Sequence, residues 1–349
     1  MSILVINSGS TSLKYALVKE SSFDVLKKGV VRDIGSKVKN HEEAFQIAMD
    51  DLGNGNDIKF VGHRIVHGGA AFFEPMILDK KNIESIKSCS NLAPLHNPPN
   101  IFCVEASWKI LGQNIPNVAV FDTAFFRNLP EVAFHYAIPW KYVKRYKIRK
   151  YGFHGISHEY VSERAAEELE KKLEDINLIT IHLGGGASMT AIKAGKPIDT
   201  SMGFTPMEGL IMMTRSGDID AAIPIFLQKE EGLTSDDVYS LMNKESGVCA
   251  VSEIGNGMVA ILEAAEGGNE KARLALEMYA YKIKKYIGSY MAILNNVDAV
   301  VFTGAIGFGS EKIRNMVTND FKMIENIPIL HIKTEEEKVI AEAVAEKVS

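Results

Sequence analysis

The beginning of the chain places a short polar turn between two strands, and this arrangement constrains the fold more than any other stretch. Residues 3–6, ILVI, form an unbroken apolar run that is typical of a strand buried on both faces. Residues 7–12, NSGSTS, are small and polar, and the alternation in residues 13–18 predicts a second strand. The turn offers backbone N–H groups, four hydroxyls, an amide and, with Lys14, an ammonium group. These donors fit a phosphate or a magnesium–phosphate group, and an ordinary hairpin with a solvated tip is the alternative.

The same pattern recurs farther along the chain. In residues 178–192, LITIHLGGGASMTAI, an apolar strand leads into three glycines and then into a second strand. Consecutive glycines let a backbone approach a ligand closely and adopt positive φ. In residues 297–316 a strand, VDAVVF, precedes a glycine loop, TGAIGFG, and a helix that we predict to be capped by Ser310. Two halves that each begin in this way indicate duplication of one α/β unit with a cleft between the copies.

The composition fits a globular protein of about two domains. The chain has 349 residues, of which 46% are hydrophobic and 24% charged, and its net charge is −5. The basic run at residues 141–150, KYVKRYKIRK, fits an RNA-binding patch or a solvated connector; we favour the connector and predict no nucleic-acid partner. We recognise no signal peptide and no apolar run of about 20 residues, and so predict no membrane span. Three scattered cysteines fit a reducing cytoplasm.

The spacing of apolar residues predicts most of the remaining elements. Helices are expected at residues 42–52, 100–111, 158–173 and 269–294, and strands at residues 58–61 and 118–121. We expect Thr334 to cap a last helix whose three leading glutamates suit the positive end of the helix dipole. Residues 199–220 match neither a simple helix nor a simple strand. They are rich in glycine and charge yet carry several apolar side chains, which favours a binding segment over an idle surface loop.

The segment GHRIVHGG, residues 62–69, follows a predicted strand and fits two kinds of site. His63 and His67 suit metal ligation, but no carboxylate or cysteine accompanies them at ligand spacing. We prefer Arg64 as an anion clamp, with the histidines packed or bonded to the backbone. Asp122 stands at the carboxyl end of the predicted strand 118–121, where α/β proteins collect the polar residues of their active sites.

Two further segments present histidines from loops. In NLAPLHN, residues 91–97, His96 precedes a helix that begins with Pro98 and Pro99. In YGFHGISH, residues 151–158, glycines flank Phe153 and His154, so a turn would direct both side chains into a cleft. A core aromatic residue beside a surface histidine is the alternative.

Taken together, these motifs resemble the acetate kinase family, which belongs to the actin-like, sugar-kinase-like phosphotransferases. Nearly the whole chain carries the resemblance, through the motifs NSGSTSLK, GHRIVHGG, APLHNP, VFDTAF, YGFHGISH, HLGGGAS, DTSMGFTPMEGLIMMTRSGDID, FTGAIG and TEEEKVIA. It implies an α/β fold of two duplicated actin-like (ribonuclease H-like) domains with a hinged cleft, and a homodimer. We place the first domain at residues 1–122 plus 338–349 and the second domain at residues 123–337.

The resemblance also implies a role for each candidate site residue. Mg²⁺, with Mn²⁺ as the alternative, would be held by Asn7 and Glu336. The catalytic residues would be Arg64, Asp122, His154 and Arg215. The acetate site would consist of Arg64, Val66, Leu95, His96, Phe153 and Pro206. The phosphates and the nucleotide would be bound by Ser10, Ser12, Lys14, His182, Leu183, Gly184, Gly185, Gly186, Gly304, Ala305, Ile306 and Gly307.

The implied activity is reversible, Mg²⁺-dependent phosphoryl transfer between ATP and acetate, giving ADP and acetyl phosphate. A carboxylic acid with a pKa near ~4 is ionised at neutral pH, so the nucleophile requires no general base. The chemical problem is to bring an anion to a polyanion. Two arginines, a lysine, Mg²⁺ and N–H-rich loops address it by positioning and charge neutralisation. Asp122 would orient Mg²⁺ or an arginine and would not abstract a proton.

Residues on the nucleotide side depart from the family pattern. Gly185 stands where the family usually has asparagine, Phe308 and Gly309 replace a Glu-Asn pair, and residues 256–258, NGM, replace an Asp-x-Arg that contacts the nucleotide. The chain is also shorter than typical members, and segments are missing before residue 62 and between residues 309 and 327. We therefore keep another nucleotide, or pyrophosphate, which needs no base pocket, as alternatives to ATP.

Three other functions remain open from the sequence. The first is a kinase that phosphorylates propionate or butyrate. A binding pocket distinguishes two acids that differ by one methylene group by only about 1–3 kcal/mol. The second is a non-catalytic relative that binds an acyl phosphate or a nucleotide. The altered nucleotide loops favour it, whereas the complete set Asn7, Arg64, Asp122, Arg215 and Glu336 disfavours it. The third, a structural actin-like polymer subunit, is disfavoured because residues 199–220 would have no task.

Overall fold

The computed structural model describes residues 1–9, 11–53, 57–93, 96–255 and 257–349, with the side chains of residues 91 and 92 left aside. Backbone contacts divide the chain into two compact units. Unit 1 consists of Met1–Arg127 and Glu335–Ser349, and unit 2 consists of Asn128–Thr334. The end of the chain therefore belongs to the same unit as its beginning. Whether these units coincide with independently folding domains stays a prediction.

The elements of unit 1 follow one another from a strand hairpin to alternating helices and strands. They are β1 (Ser2–Ser8), β2 (Leu13–Lys19), β3 (Val25–Val31), α1 (His41–Leu52), β4 (Ile58–Ile65), β5 (Met76–Ile77), α2 (Lys80–Lys87), α3 (Asn97–Leu111) and β6 (Asn117–Phe121). The sheet order is β3-β2-β1-β4-β6-β5. Strands β1, β2 and β3 pair antiparallel, β1, β4 and β6 pair parallel, and β5 pairs antiparallel to β6.

Unit 2 begins with helices and then builds its own sheet. Its elements are α4 (Glu131–Phe134), α5 (Trp140–Tyr146), α6 (Gly155–Glu168), β7 (Asn177–Leu183), β8 (Ala187–Lys193), β9 (Lys196–Thr200), α7 (Ala222–Glu231), α8 (Ser235–Lys244), α9 (Gly247–Ser252), α10 (Met258–Glu266), α11 (Glu270–Leu294), β10 (Ala299–Thr303), α12 (Gly304–Gly309), α13 (Glu311–Thr318) and β11 (Ile329–His331). The last helix, α14 (Glu336–Val348), belongs to unit 1. Short 3₁₀ helices span Ser88–Leu92, Ala124–Asn128, Leu173–Asp175 and Lys322–Ile324.

The two sheets share one topology. The sheet of unit 2 has the order β11-β10-β7-β8-β9, with β7, β8 and β9 antiparallel and β7, β10 and β11 parallel. Read in the opposite direction, this order matches β3-β2-β1-β4-β6 of unit 1 strand for strand. Helix α6 packs on β7 and β10 as α14 packs on β1 and β4. The α/β fold with two duplicated actin-like units is therefore confirmed.

The first strand lies at the centre of its sheet, as its apolar run predicts. All seven residues of β1 are buried, and Ile3 and Leu4 are fully covered. Helix α14 covers β4 through Ile340 and Val344, which are also fully buried. Gly62 of β4 permits this contact, because a Cβ there would lie 2.7 Å from Cγ2 of Val344. No helix in the described ranges is long and apolar enough to cross a bilayer.

Three predicted local details were wrong. Thr334 does not cap the last helix, which begins at Glu336 and has no side-chain cap. The predicted glycine loop TGAIGFG instead contains the short helix α12, which packs on β7 and β10 despite the weak helix propensity of glycine. The helix predicted at residues 158–173 is α6, which starts at Gly155 and ends at Glu168. The predicted cap of α13 is confirmed, since the Ser310 hydroxyl accepts a hydrogen bond from the amide of Ile313 at 3.3 Å.

Candidate active site

Four polar side chains of unit 1 meet at one edge of its sheet. Strands β1, β4 and β6 run parallel side by side, so their carboxyl ends lie together. Asn7 lies at the end of β1, Arg64 near the end of β4 and Asp122 directly after β6. Glu336 is the first residue of α14, which packs on β1 and β4. The topology thus brings together residues that are as much as 329 positions apart.

Arg64 is the centre of this group. Its Nε donates to Oδ1 of Asp122 at 3.0 Å, and its Nη2 forms an ion pair with Oδ2 of the same carboxylate. Its Nη1 donates to Oδ1 of Asn7 at 3.0 Å and lies 3.9 Å from Oε2 of Glu336. The Asn7 amide in turn donates to Oε2 of Glu336 at 3.1 Å. The guanidinium is therefore held by a bidentate contact, which fixes its plane as well as its position.

The charge of Arg64 survives its burial. Burial by itself disfavours the cationic form, but the carboxylates of Asp122 and Glu336 outweigh this effect and raise the pKa of Arg64 above its ordinary value. Asp122 is almost fully covered, with 1% of its side chain exposed. Both of its oxygens are engaged by Arg64, so the carboxylate orients a cation. That Asp122 orients a cation and does not abstract a proton during the reaction stays a prediction.

The donor set of Asn7 and Glu336 fits a magnesium ion. An amide oxygen and a carboxylate oxygen are hard ligands, and Mg²⁺ often takes only one or two protein ligands while it keeps waters and substrate phosphates. Within the described ranges, no group of three or more histidine, cysteine or acidic side chains is arranged to hold a metal. Asn7 and Glu336 would supply two ligands, and waters and substrate phosphates would complete the shell of the ion.

The two histidines of residues 62–69 have structural partners. Nε2 of His63 lies 2.7 Å from Oδ1 of Asn117, and burial lowers the pKa of His63 to about 4. Nδ1 of His67 accepts a hydrogen bond from the amide of Gly69 at 2.8 Å. These contacts favour the interpretation of both histidines as structural and leave Arg64 as the charged group of this segment.

The turn between β1 and β2 lies next to this cluster. Lys14 stands directly opposite Asn7 in the antiparallel pair, and its side chain is exposed. The amide of Gly9 donates to the carbonyl of Ser12 at 2.7 Å, which closes the turn. Ring nitrogen Nε2 of His41 lies 2.8 Å from the carbonyl oxygen of Gly9. Of the predicted residues, Ser10 and Leu95 lie outside the described residues, as does Asn256.

Two asparagines at the start of α3 were missed by sequence reasoning. Asn100 donates to the carbonyl of Ser8 at 2.7 Å and accepts from the amide of Val66 at 3.1 Å. Asn97 accepts from the amide of His67 at 3.0 Å and donates to its carbonyl at 2.9 Å. They tie the ends of β1 and β4 to one helix. The only signal in the sequence was the motif NPPN, residues 97–100, in which two asparagines flank two prolines. His96, which precedes this motif, is partly buried.

In unit 2, His154 and Arg215 lie beside the first glycine loop. A Cβ at Gly186 would lie 3.2 Å from Cε1 of His154 and 3.5 Å from Nη1 of Arg215. The ring of His154 stacks on that of His182, with centroids 4.3 Å apart. Nη1 of Arg215 donates to the carbonyl of Pro206 at 3.0 Å, and burial lowers the pKa of Arg215. Glycine at position 186 therefore leaves the space that both side chains border.

The two glycine segments of unit 2 follow neighbouring strands. Residues 184–186 connect β7 and β8, and Gly304 begins α12 directly after β10, the parallel neighbour of β7. Gly304 has a φ of +77°, and a Cβ there would lie 2.5 Å from the carbonyl oxygen of Leu183. Ala305, Ile306 and Gly307 follow within α12. The predicted phosphate residues of this unit thus share one sheet edge.

The predicted acetate pocket draws its residues from both units. Val66 belongs to unit 1, whereas Phe153 and Pro206 belong to unit 2, and all three are buried. Their assembly into a single pocket stays a prediction.

Two copies of one α/β unit, each with polar residues or glycines at the carboxyl edge of its central parallel strands, define a phosphotransferase of the actin-like fold. Within this class the assignment is specific, because residues 2–346 match the model of the Acetokinase family. The chain belongs to the acetate kinase family. The resemblance that the motifs predicted is therefore confirmed.

Individual relatives agree with this assignment. An acetate kinase of Thermotoga maritima is 47% identical over 344 residues, which cover 91% of this chain and 85% of the relative. An acetate kinase of Natranaerobius thermophilus is 45% identical over 365 residues, which cover 97% of this chain and 90% of the relative. Among solved structures, a propionate kinase from Francisella tularensis subsp. tularensis has a TM-score of 0.93 at 35% identity, with 99% of each chain covered. The Porphyromonas gingivalis acetate kinase has a TM-score of 0.88 at 37% identity, with both chains covered completely.

Proposed function

We propose that this protein catalyses reversible phosphoryl transfer between ATP and acetate, with Mg²⁺ as the metal and with ADP and acetyl phosphate as the products. The observation that carries the proposal is the fixed guanidinium of Arg64, held by both oxygens of Asp122 beside Asn7 and Glu336. Relatives named acetate kinase, 45–47% identical over more than nine tenths of the chain, support the choice of acetate.

In the direction of acetyl phosphate synthesis, a carboxylate oxygen of acetate forms a bond to the γ-phosphorus of ATP. The bond from that phosphorus to the oxygen that bridges it to the β-phosphate breaks, and ADP leaves with the electron pair. Acetate is already ionised at neutral pH, so no proton has to move and no general base is required. The chain therefore has to supply positioning and positive charge.

Arg64 meets this requirement in unit 1. Its charge is retained on burial, and its orientation is set before any ligand arrives because Asp122 binds it in two places. A preorganised cation costs no reorganisation when negative charge develops on the transferred group. Lys14, exposed and opposite Asn7, would contact the phosphates from the same edge.

Asn7 and Glu336 would hold the magnesium ion. Bound there, the ion would neutralise phosphate charge. The ligand oxygens are kept in place by the hydrogen bond between the two side chains and by the packing of α14 on β1 and β4.

Unit 2 would supply the second set of contacts. We assign His154 and Arg215 to the transferred phosphoryl group, because both border the space beside Gly186. The segments at 182–186 and 304–307 would bind the nucleotide phosphates through backbone N–H groups, which glycine allows a ligand to approach closely.

The arginine assignments are tested by substitution to alanine and to lysine. Arg64→Ala and Arg215→Ala should each lower kcat about 10²–10³-fold or more, and lysine should restore little because it lacks the planar fork. Arg127→Ala is the matched control in unit 1, since Arg127 is half exposed and pairs with Glu74 at the surface. Arg64→Ala also leaves the buried carboxylate of Asp122 without its ion-pair partner, which lowers stability. Thermal melting must therefore accompany the assay. Near-normal turnover in both folded alanine variants would reject these roles.

The same preparation separates an enzyme from a non-catalytic relative. Acetyl phosphate can be trapped as its hydroxamate and measured by colour. The proposal expects Mg²⁺- and ATP-dependent formation of this product, whereas a protein that only binds the ligands would form none.

A second candidate concerns the phosphoryl donor. A Cβ at Gly185 would meet no atom within 4 Å, so the space for the asparagine that the family usually has there is present. Phe308 is 38% exposed on α12, where the family usually has a charged or polar residue. Comparing ATP, GTP and pyrophosphate in one preparation decides between donors, and ATP at ordinary affinity would reject the altered donor.

A related alternative concerns the acceptor. A solved relative is named a propionate kinase, and one methylene group discriminates by only about 1–3 kcal/mol. We propose acetate as the preferred acid because Val66 narrows the pocket in the family pattern. A higher kcat/KM for propionate than for acetate would reverse this assignment.

We further propose that the protein acts in the cytoplasm as a homodimer.

A further inference from the structure

A chain of hydrogen bonds runs from the interior of unit 2 to His154. Oγ1 of Thr180 lies 2.7 Å from Nδ1 of His158, and Nε2 of His158 lies 2.7 Å from Oγ of Ser188. The same Ser188 oxygen lies 2.8 Å from Nδ1 of His154. Thr180, His158 and Ser188 are fully buried. Each link is short enough to be a hydrogen bond, so the protons along the chain must be ordered consistently.

The hydroxyl of Thr180 sets the direction of this chain. Within the part of the chain that the structure describes, Nδ1 of His158 is the one acceptor that this hydroxyl meets. A buried hydroxyl that donates to nothing is costly, so Thr180 donates to Nδ1. Burial, together with the neighbouring His182, lowers the pKa of His158 well below its ordinary value, so the ring is neutral. Its single proton then lies on Nε2.

The remaining links follow from this proton. Nε2–H of His158 donates to Oγ of Ser188, and the hydroxyl proton of Ser188 is left to donate to Nδ1 of His154. We propose that Thr180, His158 and Ser188 are positioning residues that fix the tautomer of His154, so that Nδ1 is an acceptor and Nε2 carries the proton.

The proton on Nε2 faces the proposed phosphoryl site. Nε2 of His154 would lie 3.3 Å from a Cβ at Gly186, the position that Nη1 of Arg215 also borders. An N–H at Nε2 donates to a phosphoryl oxygen whether the ring is neutral or protonated. With the opposite order of protons, the neutral ring would present a lone pair to that oxygen and repel it. The inference rests on the proposed contact between His154 and the transferred group.

Thr180→Val tests the relay because valine keeps the shape of threonine and removes its hydroxyl. Without that donor, valine satisfies Nδ1 of His158 in neither tautomer, so the order of protons is no longer fixed. In the molecules where Nδ1 carries the proton, Ser188 donates to His158 and His154 donates to Ser188. In those molecules the outer nitrogen of neutral His154 is a bare acceptor. We expect kcat to fall about two- to tenfold at neutral and alkaline pH, in proportion to the share of molecules with the reversed order. It should recover as the pH falls through the imidazole range, where protonated His154 again has an N–H at Nε2.

Three comparisons isolate this effect. The wild type should lack the added pH dependence, and Thr180→Ser should behave like it because serine restores the donor. Thr190→Val removes another buried hydroxyl, that of Thr190 on β8, which donates to the hydroxyl of Thr200 at 3.3 Å. This variant should leave the pH profile unchanged. His158, His182 and Arg215 are titratable or charged groups that the described structure places near His154, and all three are retained in these variants. A Thr180→Val profile that parallels the wild type at every pH would contradict the relay.

A direct measurement of the tautomer does not depend on activity. The two nitrogens of a neutral imidazole have well-separated ¹⁵N shifts, so long-range ¹H–¹⁵N correlation of the labelled full chain reports which one is protonated. His154→Asn identifies the signals. We expect the proton on Nε2 in the wild type and divided between Nε2 and Nδ1 in Thr180→Val. A wild-type ring protonated on Nδ1 overturns the proposal, and this reading needs no variant of Thr180 to fold.

The two measurements separate the relay from the proposed function. If Thr180→Val moves the proton of His154 but leaves kcat unchanged, the relay is supported and the phosphoryl contact of His154 is rejected. If His154→Asn retains full turnover, the same contact is rejected whatever the tautomer.

Discussion

At the scale of single residues, Arg64 shows how a buried charge is kept available for a ligand. Asp122 binds the guanidinium on one side and Asn7 on another, while Glu336 lies 3.9 Å away. Removing one partner of such a buried pair costs about 3–5 kcal/mol because the other charge is left uncompensated. The same contacts that orient Arg64 for chemistry therefore also make it important for stability.

His63 makes stability depend on pH. Its pKa is about 4 in the folded protein because burial disfavours its charged form, against an ordinary value of 6.5. The unfolded chain therefore binds a proton at this site as the pH falls below 6.5, whereas the folded protein does not do so until about pH 4. We expect the free energy of unfolding to fall by about 3 kcal/mol from this residue between pH 6.5 and pH 4, with no further loss below.

His63→Gln checks this expectation, because glutamine can still donate to Asn117 but does not titrate. Denaturant unfolding at several pH values should show a shallower loss of stability in the variant over this interval. The buried His158 shifts in the same direction and remains in both proteins, so part of the slope persists. Equal slopes in the two proteins would show that His63 does not contribute.

At the scale of elements, helix α14 links the end of the chain to the first strand. It carries Glu336 at its first position and packs on β4 through Ile340 and Val344. The contact depends on the absence of a side chain at Gly62, where a Cβ would lie 2.8 Å from Cγ2 of Ile340 and 2.7 Å from Cγ2 of Val344. Both side chains are branched and fully buried, so neither can move aside easily.

Gly62→Ala should displace α14 and the glutamate that it carries. We expect a loss of about 1–3 kcal/mol from overpacking and a higher Mg²⁺ concentration for half-maximal activity. Thermal melting and a magnesium titration measure the two effects. Gly288→Ala in α11 is the matched control, since its Cβ would meet nothing within 4 Å and alanine there should be neutral or stabilising. An unchanged magnesium titration in Gly62→Ala would separate α14 from the metal site.

At the scale of the whole molecule, one surface helix is unusually apolar. Helix α7 exposes Ile223 by 43%, Ile225 by 54% and Phe226 by 60%. Ile223 and Phe226 lie three positions apart and so share a face of the helix. Clustered apolar exposure of this kind is typical of a surface that another protein covers.

We expect the protein to sediment as a dimer, at twice the 38.4 kDa of one chain. Phe226→Ser should raise the monomer fraction if α7 lies in the interface, as measured by sedimentation at several concentrations. Met323→Ser, which alters a residue of similar exposure at a different place, is the control. A wild-type protein that sediments as a monomer at all concentrations would reject the homodimer.

Much of the fold was predictable because it depends on local patterns. The apolar run of residues 3–6 predicted the central strand, and the repeated strand–turn–strand predicted the duplication that the matched sheet orders confirm. The helix predicted at residues 42–52 is α1, His41–Leu52, and the long helix predicted at residues 269–294 is α11. Asn269 caps α11, because its side-chain oxygen accepts a hydrogen bond from the amide of Ala272. Such elements follow from periodicity and capping, which act over a few residues.

Other features required the tertiary structure. The joining of Asn7 to Glu336 depends on where the last helix packs, and the roles of Asn97 and Asn100 depend on which strand ends α3 faces. The glycine-rich segment 304–309 forms a helix that packs on β7 and β10, which its composition did not predict. These outcomes arise from contacts between distant segments, which sequence spacing does not encode.

The sequence by itself determined the strand-and-turn units, their repetition and the family to which the chain belongs, because all three are written in short, ordered motifs. Only the tertiary structure decided that both oxygens of Asp122 bind Arg64. It also decided that hydrogen bonds connect Thr180, His158 and Ser188, in this order, to His154. The physical reason is that the direction of a hydrogen bond and the charge of a buried group depend on which atoms surround them, and folding alone brings those atoms together.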